Sequence, residues 1–567
     1  MQMPFNFAWK RSDWSAWFNY YLFFFYFSGI THILLQISGA TIFVGMRQAV
    51  VMSLLWLIPV MLVPRHARKI AAVIGLVLWV FSLVSLGYFC IYGQEFSQSV
   101  MFTIFESNPA ESSEFIAQYF VWWMIPVLLL HSGVAYWLWR RLGLLQISVR
   151  AAWAVTAGIL VLLFVQPMFK QLVLNKASLD DAVEKLQTRM EPAVPWQMVI
   201  GYIHYRKQLA NMETLLEQNS RIPPLSNLQD ANAGQPATLV LVLGESTNRQ
   251  RMSLYGYHRK TTPKLDALRQ ELSVFDNVVT PRPYTIEALT QALTFADQEH
   301  PELYLTKPSL MNMMRQAGYK SYWITNHQTI TKRNTMLANF SKQTDEQFYM
   351  NNSRAQNSRE YDANVFAPFE EVLRDPAPRK FIIVHLLGTH MKYEYRYPAE
   401  FDVFKGREGV PAILNEGQAK VYNQYDNAVF YNDYVMSTLI ESLRERAPNS
   451  LLVYFSDHGE DVYDAPGHGM LGRNEAKPTL PMYTVPFIIW ASEQWRAGHD
   501  MRFDGMLERP YSNAHFIHTW ADLAGLSFDG FEPSLSIVNA QFKEHPLLVG
   551  DPYQPDTIRP LDIHAHD

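Results

Sequence analysis

Apolar positions along this chain follow two regimes. Up to about residue 170 they form long runs nearly unbroken by charge, at roughly 14–39, 49–63, 70–93, 120–139 and 151–169. A helix needs about 20 apolar residues to cross a hydrocarbon layer ~30 Å thick, so these runs predict about five transmembrane helices, the second being the shortest. From residue 238 the apolar runs shorten. TLVLVLG (238–244), KSYWITN (320–326), KFIIVHLLG (380–388), SLLVYFS (450–456) and VPFIIWAS (485–492) read as buried strands. Helical periodicity occupies 262–272, 286–297, 308–317, 361–374, 426–445 and 514–524. Wholly apolar strands alternating with helices predict an α/β domain, a mostly parallel sheet with helices on both faces. Between the two regimes, Leu186, Met190, Trp196, Met198, Val199, Tyr202 and Ile203 recur at helical spacing, as in helices lying on a membrane surface. The plan is therefore a transmembrane domain over 1–169, interfacial helices and a linker over 170–237, and a soluble domain over 238–567.

Charge gives the spans a direction. Lys10 and Arg11, then RHARK (65–69), then RRLGLLQISVR (140–150) would share one side, while the 94–118 connection carries Glu95, Glu106, Glu111 and Glu114 without Lys or Arg. Positive loops stay cytoplasmic, which predicts a cytoplasmic N-terminus and an exported C-terminal domain, periplasmic in a Gram-negative bacterium. The 94–118 connection reads either as a further interfacial helix or as a solvated loop. The first apolar run is too long for a cleavable signal peptide and is followed by further spans. Mean hydropathy, -0.09, averages the two regimes and describes neither. The single cysteine, Cys90, lies in the third run, so the exported part can hold no internal disulfide. A net charge of -5 without a long basic stripe argues against nucleic acid as a partner. The terminal DIHAHD reads as a disordered tail.

In parallel sheets, ligands bind beyond the carboxyl ends of the strands, so candidate chemistry is sought there. Those ends carry Glu245 and Ser246; Asn326 and His327; His385, Thr389 and His390; and Ser456, Asp457, His458 and Gly459. His468 follows in the Gly-rich PGHG, and PRPYT places Thr285 at the start of a helix. Glu245, Asp457 and His458 form an oxygen-rich set with one imidazole, suited to zinc or manganese. On spacing alone, a metal site, an acid–base pair and a set of capping turns all remain open. His327 reads as a loop residue, and Glu460 and Asp461 as surface acids.

VLVLGESTNRQRMSLYGYHRKTTPKLDAL (240–268), TPRPYTIEALTQALTF (280–295), HLLGTHMKYEYRYP (385–398), YDNAVFYNDYV (425–435), YFSDHGEDVYDAPGHG (454–469) and YTVPFIIW (483–490) together resemble the bacterial phosphoethanolamine transferases. That family sits in the alkaline phosphatase/sulfatase superfamily, and the chain is most similar to its lipopolysaccharide-core-modifying branch. The resemblance implies an inner-membrane enzyme moving phosphoethanolamine from phosphatidylethanolamine to a lipopolysaccharide acceptor, through an intermediate on threonine. It implies Glu245, Thr285, Asp457 and His458 as metal ligands and Thr285 as nucleophile. It further implies His390 and His468 at the substrate phosphate or a second zinc, or assisting proton transfer. Zinc is expected ahead of manganese, in one tight site with a second left open. Glu287, two residues after the nucleophile, is a candidate for recognising the ethanolamine ammonium. Exported phosphoglycerol transfer and a non-catalytic envelope scaffold are the alternatives. The oligomeric state is left open.

Overall fold

The structure, a computed structural model, describes residues 11–37, 43–92, 121–176, 178–218, 222–327, 336–350, 361–475 and 477–563. The whole 94–118 connection and the histidines of the terminal tail, His564 and His566, lie outside the described residues. The chain divides into two compact units, the first ending at Lys207 and the second continuing from Gln208.

Among the described residues of the first unit, four helices are long and apolar enough to cross a membrane: Ser15–Ile37, Gly45–Leu62, Pro64–Cys90 and Val149–Leu174. The run expected at 120–139 forms the helix Met124–Arg140, 17 residues long. Tyr20, Phe23, Phe24 and Phe27 are buried between helices, whereas Val73, Leu76, Leu129 and Leu130 face outward, as side chains solvated by lipid would. Some polar groups inside the bundle pair with one another, which offsets the cost of placing them in hydrocarbon. Ser82 Oγ lies 2.9 Å from His131 Nε2, and Tyr26 donates to the His131 carbonyl at 3.0 Å. Beyond the last span come two helices, Leu179–Met190 and Trp196–Gln218. The turn between them is tied to the spans by Val194 N–H donating to Ser28 Oγ at 2.9 Å.

The second unit is built on seven strands: β1 (Ala237–Gly244), β2 (Leu272–Phe275), β3 (Lys320–Thr325), β4 (Glu346–Tyr349), β5 (Arg379–His385), β6 (Ser450–Ser456) and β7 (Phe487–Ala491). Their order across the sheet is β2-β7-β6-β1-β5-β3-β4. The strands from β6 to β4 run parallel, and β7 is antiparallel to both of its neighbours. Helices used below are α1 (Thr285–Ala292), α2 (Phe366–Arg374), α3 (Glu416–Arg446) and α4 (Phe516–Leu523). Helix α3 begins ten residues before the periodicity suggested. Asn415 caps it and Gln418 reaches back to the Asn415 N–H, a capping box that apolar spacing does not reveal.

Side chains alternate along a strand, so each strand feeds two cores. Val240, Val242, Ile382 and Val384 share a core with Phe369 of α2 and Leu439 of α3. On the opposite face, Phe381 packs against Trp520 and Phe455 against Phe516, both from α4. The register levels the carboxyl ends. Gly244 pairs with Ser456, Leu243 with His385, and Thr325 with His385. Residues following these four parallel strands therefore emerge side by side.

Candidate active site

Glu245, Asp457 and His458 leave adjacent strands and meet within a fully buried cluster. His458 Nε2 lies 3.2 Å from Glu245 Oε1 and 3.4 Å from Asp457 Oδ2. Its Nδ1 faces the Gly459 carbonyl at 2.9 Å; a carbonyl only accepts, so Nδ1 holds the proton and Nε2 presents its lone pair. Asp457 Oδ1 is fixed by the N–H groups of Ser246 (3.2 Å) and His458 (2.7 Å). Ser246 carries a left-handed φ of 60, rare for a non-glycine residue, and its hydroxyl donates to Glu245 Oε1 at 2.7 Å.

Two glycines make room for this convergence. A Cβ on Gly388 (φ 53) would lie 2.7 Å from the Glu245 carbonyl oxygen, so the β1 and β5 exits approach only without a side chain there. At Gly459 a Cβ would stand 2.1 Å from the Pro481 carbonyl. The need at Gly459 is for space, since the position has no left-handed φ.

Thr285 is the first residue of α1 and reaches the same cluster. Its hydroxyl donates to Glu245 Oε2 at 2.9 Å and stands 3.3 Å from His458 Nε2. The loop before it is held by Arg282, whose Nε and Nη2 grip Glu475 at 2.5 and 3.0 Å while Nη1 reaches Asp551 at 3.3 Å. Glu287 sits one turn beyond Tyr284 in this buried acidic neighbourhood, and burial pushes its carboxyl up to about 8.

His390 flanks the cluster, its ring perpendicular to that of His327 at 6.3 Å. Its Nδ1 faces the Met391 carbonyl at 2.7 Å, leaving Nε2 unprotonated, and the packing around the ring lowers it to about 3. His468 is placed apart: its Nδ1 faces the Tyr463 carbonyl at 2.5 Å, and among the described residues it has no hydrogen bond or ion pair with the cluster.

Several residues depart from the sequence reading. Glu460 and Asp461 are not surface acids; both are fully buried. Burial raises Glu460 to about 7. Asp461 anchors the following loop by accepting from Asp464 N–H at 2.9 Å and from Thr479 Oγ1 at 2.7 Å. His327 is no ordinary loop residue: its Nε2 lies 3.7 Å from Glu245 Oε2, and its ring stacks on His385. Arg473 went unnoticed in the sequence. Its guanidinium donates to His458 Nε2 at 2.5 Å, comes within 4.0 Å of Glu245 Oε1, and faces Glu460 and Asp457 as well. His385 was already among the strand-end candidates, as the polar residue closing the apolar stretch of β5, but without a role. For Arg473 there was no sequence signal.

Electrostatically the cluster suits a cation. Burial works against charge on Glu245, but the imidazoles of His458, His390 and His327 hold its carboxyl well below the usual range. Asp457 is driven the other way, by burial and by the Glu245 charge beside it. Two buried carboxylates and a neutral imidazole, with one ligand atom from each within 4.8 Å, form a donor set that fits zinc, and a divalent ion would relieve the repulsion between them.

Comparison with known proteins gives the same picture. The sulfatase family model matches residues 237–526. The phosphoethanolamine transferase CptA of Salmonella typhimurium is 52% identical over 560 residues, covering 98% of this chain and 96% of that protein. The solved periplasmic domain of EptC from Escherichia coli, in complex with zinc, is 59% identical and covers 60% of this chain and 96% of that one, with a TM-score of 0.59. The integral membrane protein EptA of Neisseria meningitidis shares the fold over 94% of this chain and 98% of its own, at 19% identity and a TM-score of 0.61.

Proposed function

The chain belongs to the sulfatase family and, within it, to the phosphoethanolamine transferases; from that premise we propose that it moves phosphoethanolamine from phosphatidylethanolamine onto lipopolysaccharide, with Thr285 as nucleophile. It is an inner-membrane protein with a soluble catalytic domain. We assign that domain to the periplasm and the N-terminus to the cytoplasm, in line with the basic segments 65–69 and 140–150. Anchoring suits the chemistry, because donor and acceptor are both lipids of an envelope membrane.

The observation that carries the reading is the placement of Thr285 Oγ1, 2.9 Å from Glu245 Oε2 at the amino end of α1. Glu245, Thr285, Asp457 and His458 would hold zinc. Bound there, zinc supplies positive charge that lowers the proton affinity of the threonine hydroxyl. In the first step, Thr285 Oγ1 bonds to phosphorus as the phosphorus–glycerol oxygen bond breaks, and diacylglycerol leaves with a proton. Because Thr285 heads α1, a phosphoryl group attacked by it would lie at the positive end of that helix, and Arg473 would offer a second fixed positive charge. In the second step, an acceptor oxygen bonds to phosphorus and the threonine oxygen–phosphorus bond breaks. His390, with Nε2 unprotonated, is assigned to take the acceptor's proton, and His468 to bind the entering phosphate. Similarity of the motifs to the core-modifying branch favours a core sugar or its phosphate as acceptor over lipid A.

The names of the relatives give phosphoglycerol transfer and a scaffold role no support. Head-group-labelled phosphatidylethanolamine and phosphatidylglycerol, each incubated with enzyme and lipopolysaccharide, test the reading. Label should reach lipopolysaccharide, with release of diacylglycerol, from the ethanolamine lipid alone; transfer from the glycerol lipid instead would overturn it.

A further inference from the structure

Glu245 belongs to two potential chelating sets. Besides Asp457 and His458, it converges with His327 and His385, and one ligand atom from each of these three again lies within 4.8 Å of the others, all of them buried. The second set arises from strand register. His385 ends β5 paired with both Leu243 and Thr325, so the residues two beyond those partners, Glu245 and His327, emerge on either side of it.

The state of the two imidazoles is what points to a ligand. His385 is 0% exposed, yet among the described residues neither of its ring nitrogens has a hydrogen-bond partner, and His327 Nε2 has none there either. Buried polar atoms are almost always satisfied, and an imidazole always carries at least one N–H donor. The rings are also held in place. They stack at 4.2 Å with 12° between planes, and Trp323 braces His385 nearly at right angles, 6.0 Å away. A backbone hydrogen bond to Leu386 engages the His327 ring and leaves its Nε2 facing Glu245 Oε2 at 3.7 Å. One ring nitrogen held by a carbonyl while the other is bare and aimed at a carboxylate is the usual preparation of a metal-binding histidine.

We infer that Glu245, His327 and His385 form a second divalent-cation subsite, which takes zinc and shares the Glu245 carboxylate with the site at Asp457, His458 and Thr285. Two imidazoles and one carboxylate are a zinc-type donor set, and a bridging carboxylate is the ordinary way to hold two ions a few ångströms apart. The subsite fills the unsatisfied nitrogens and sets a second positive charge beside the Glu245 oxygen that Thr285 contacts. This inference rests on Glu245 also serving the first site.

The test is zinc stoichiometry on the detergent-solubilised full chain, stripped with chelator, reloaded and analysed by plasma mass spectrometry. Wild type should hold two zinc ions per chain, His327→Gln one, and His458→Ala one. Wild type holding a single ion that His458→Ala loses and His327→Gln keeps overturns this subsite and leaves the first standing. A single ion kept by His458→Ala and lost by His327→Gln overturns the first site instead. Two ions kept by His327→Gln place the second elsewhere and also overturn the inference. His385→Gln, in the sheet itself, could fail to fold. Zinc-edge absorption of wild type therefore serves as a measurement free of substitutions: three imidazoles shared by two ions are expected, and one imidazole per ion overturns the subsite.

Discussion

Thr285 Oγ1 and Glu245 Oε2 lie 2.9 Å apart, joining the first turn of α1 to the end of β1 across 40 positions of sequence. The contact makes the threonine hydroxyl a donor to a buried carboxylate, in a place where bound zinc would lower its proton affinity. Thr285→Ala should therefore lower kcat by about 10³-fold or more, as loss of a covalent nucleophile does. Intact-mass analysis after incubation with phosphatidylethanolamine should show an added phosphoethanolamine on wild type and none on the variant. An adduct on Thr285→Ala would remove the threonine from the mechanism.

Asp457 is raised by burial and by the charge on Glu245, so its folded value lies above its unfolded one. Stability from such a group is present at low pH and lost as pH rises through the folded value. In chelator, Asp457→Asn should be more stable than wild type at pH 8 and equal to it at pH 4. With zinc the order should reverse, since the variant loses a ligand and with it the metal-dependent rise in Tm. Thermal melts in both conditions read this directly.

Glu287 titrates at about 8, so at neutral pH it is mostly protonated and offers little charge to an ammonium group. Glu287→Gln should leave KM for phosphatidylethanolamine within about twofold of wild type. Because the carboxyl is raised, wild type should lose stability between its unfolded 4.5 and its folded value of about 8. The glutamine variant should lose less over that window. A tenfold rise in KM would restore Glu287 as the ammonium partner.

Arg473 sits against His458 and Glu245 without being a metal-type ligand. If it neutralises phosphoryl oxygens as they gain charge, Arg473→Ala should lower kcat about 10²-fold with zinc content unchanged. Arg473→Lys should recover part of the loss. Loss of zinc in either variant would make the residue structural.

Gly459→Ala should destabilise the second unit by at least about 1–3 kcal/mol, because its methyl group would stand 2.1 Å from the Pro481 carbonyl. A chemical denaturation midpoint equal to that of wild type would contradict the close approach.

What the sequence determined by itself was what local pattern can carry. Charge-free runs of about 20 residues can satisfy their backbone in lipid only as helices, and wholly apolar runs such as LVLVL fit only a sheet covered on both faces. Glu245, Thr285, Asp457 and His458 were legible because each stands where an apolar strand ends or a helix begins, in motifs shared with a known family. The tertiary structure decided the rest, because those facts lie in pairing between distant segments. Glu460 and Asp461 looked like surface acids since nothing local reveals that Arg473 and Thr479 will fold over them. His327 looked like a loop residue because only the Leu243–His385–Thr325 register brings it to Glu245. Residue type and spacing could nominate candidates; strand register decided which of them lie beside the Glu245 carboxylate.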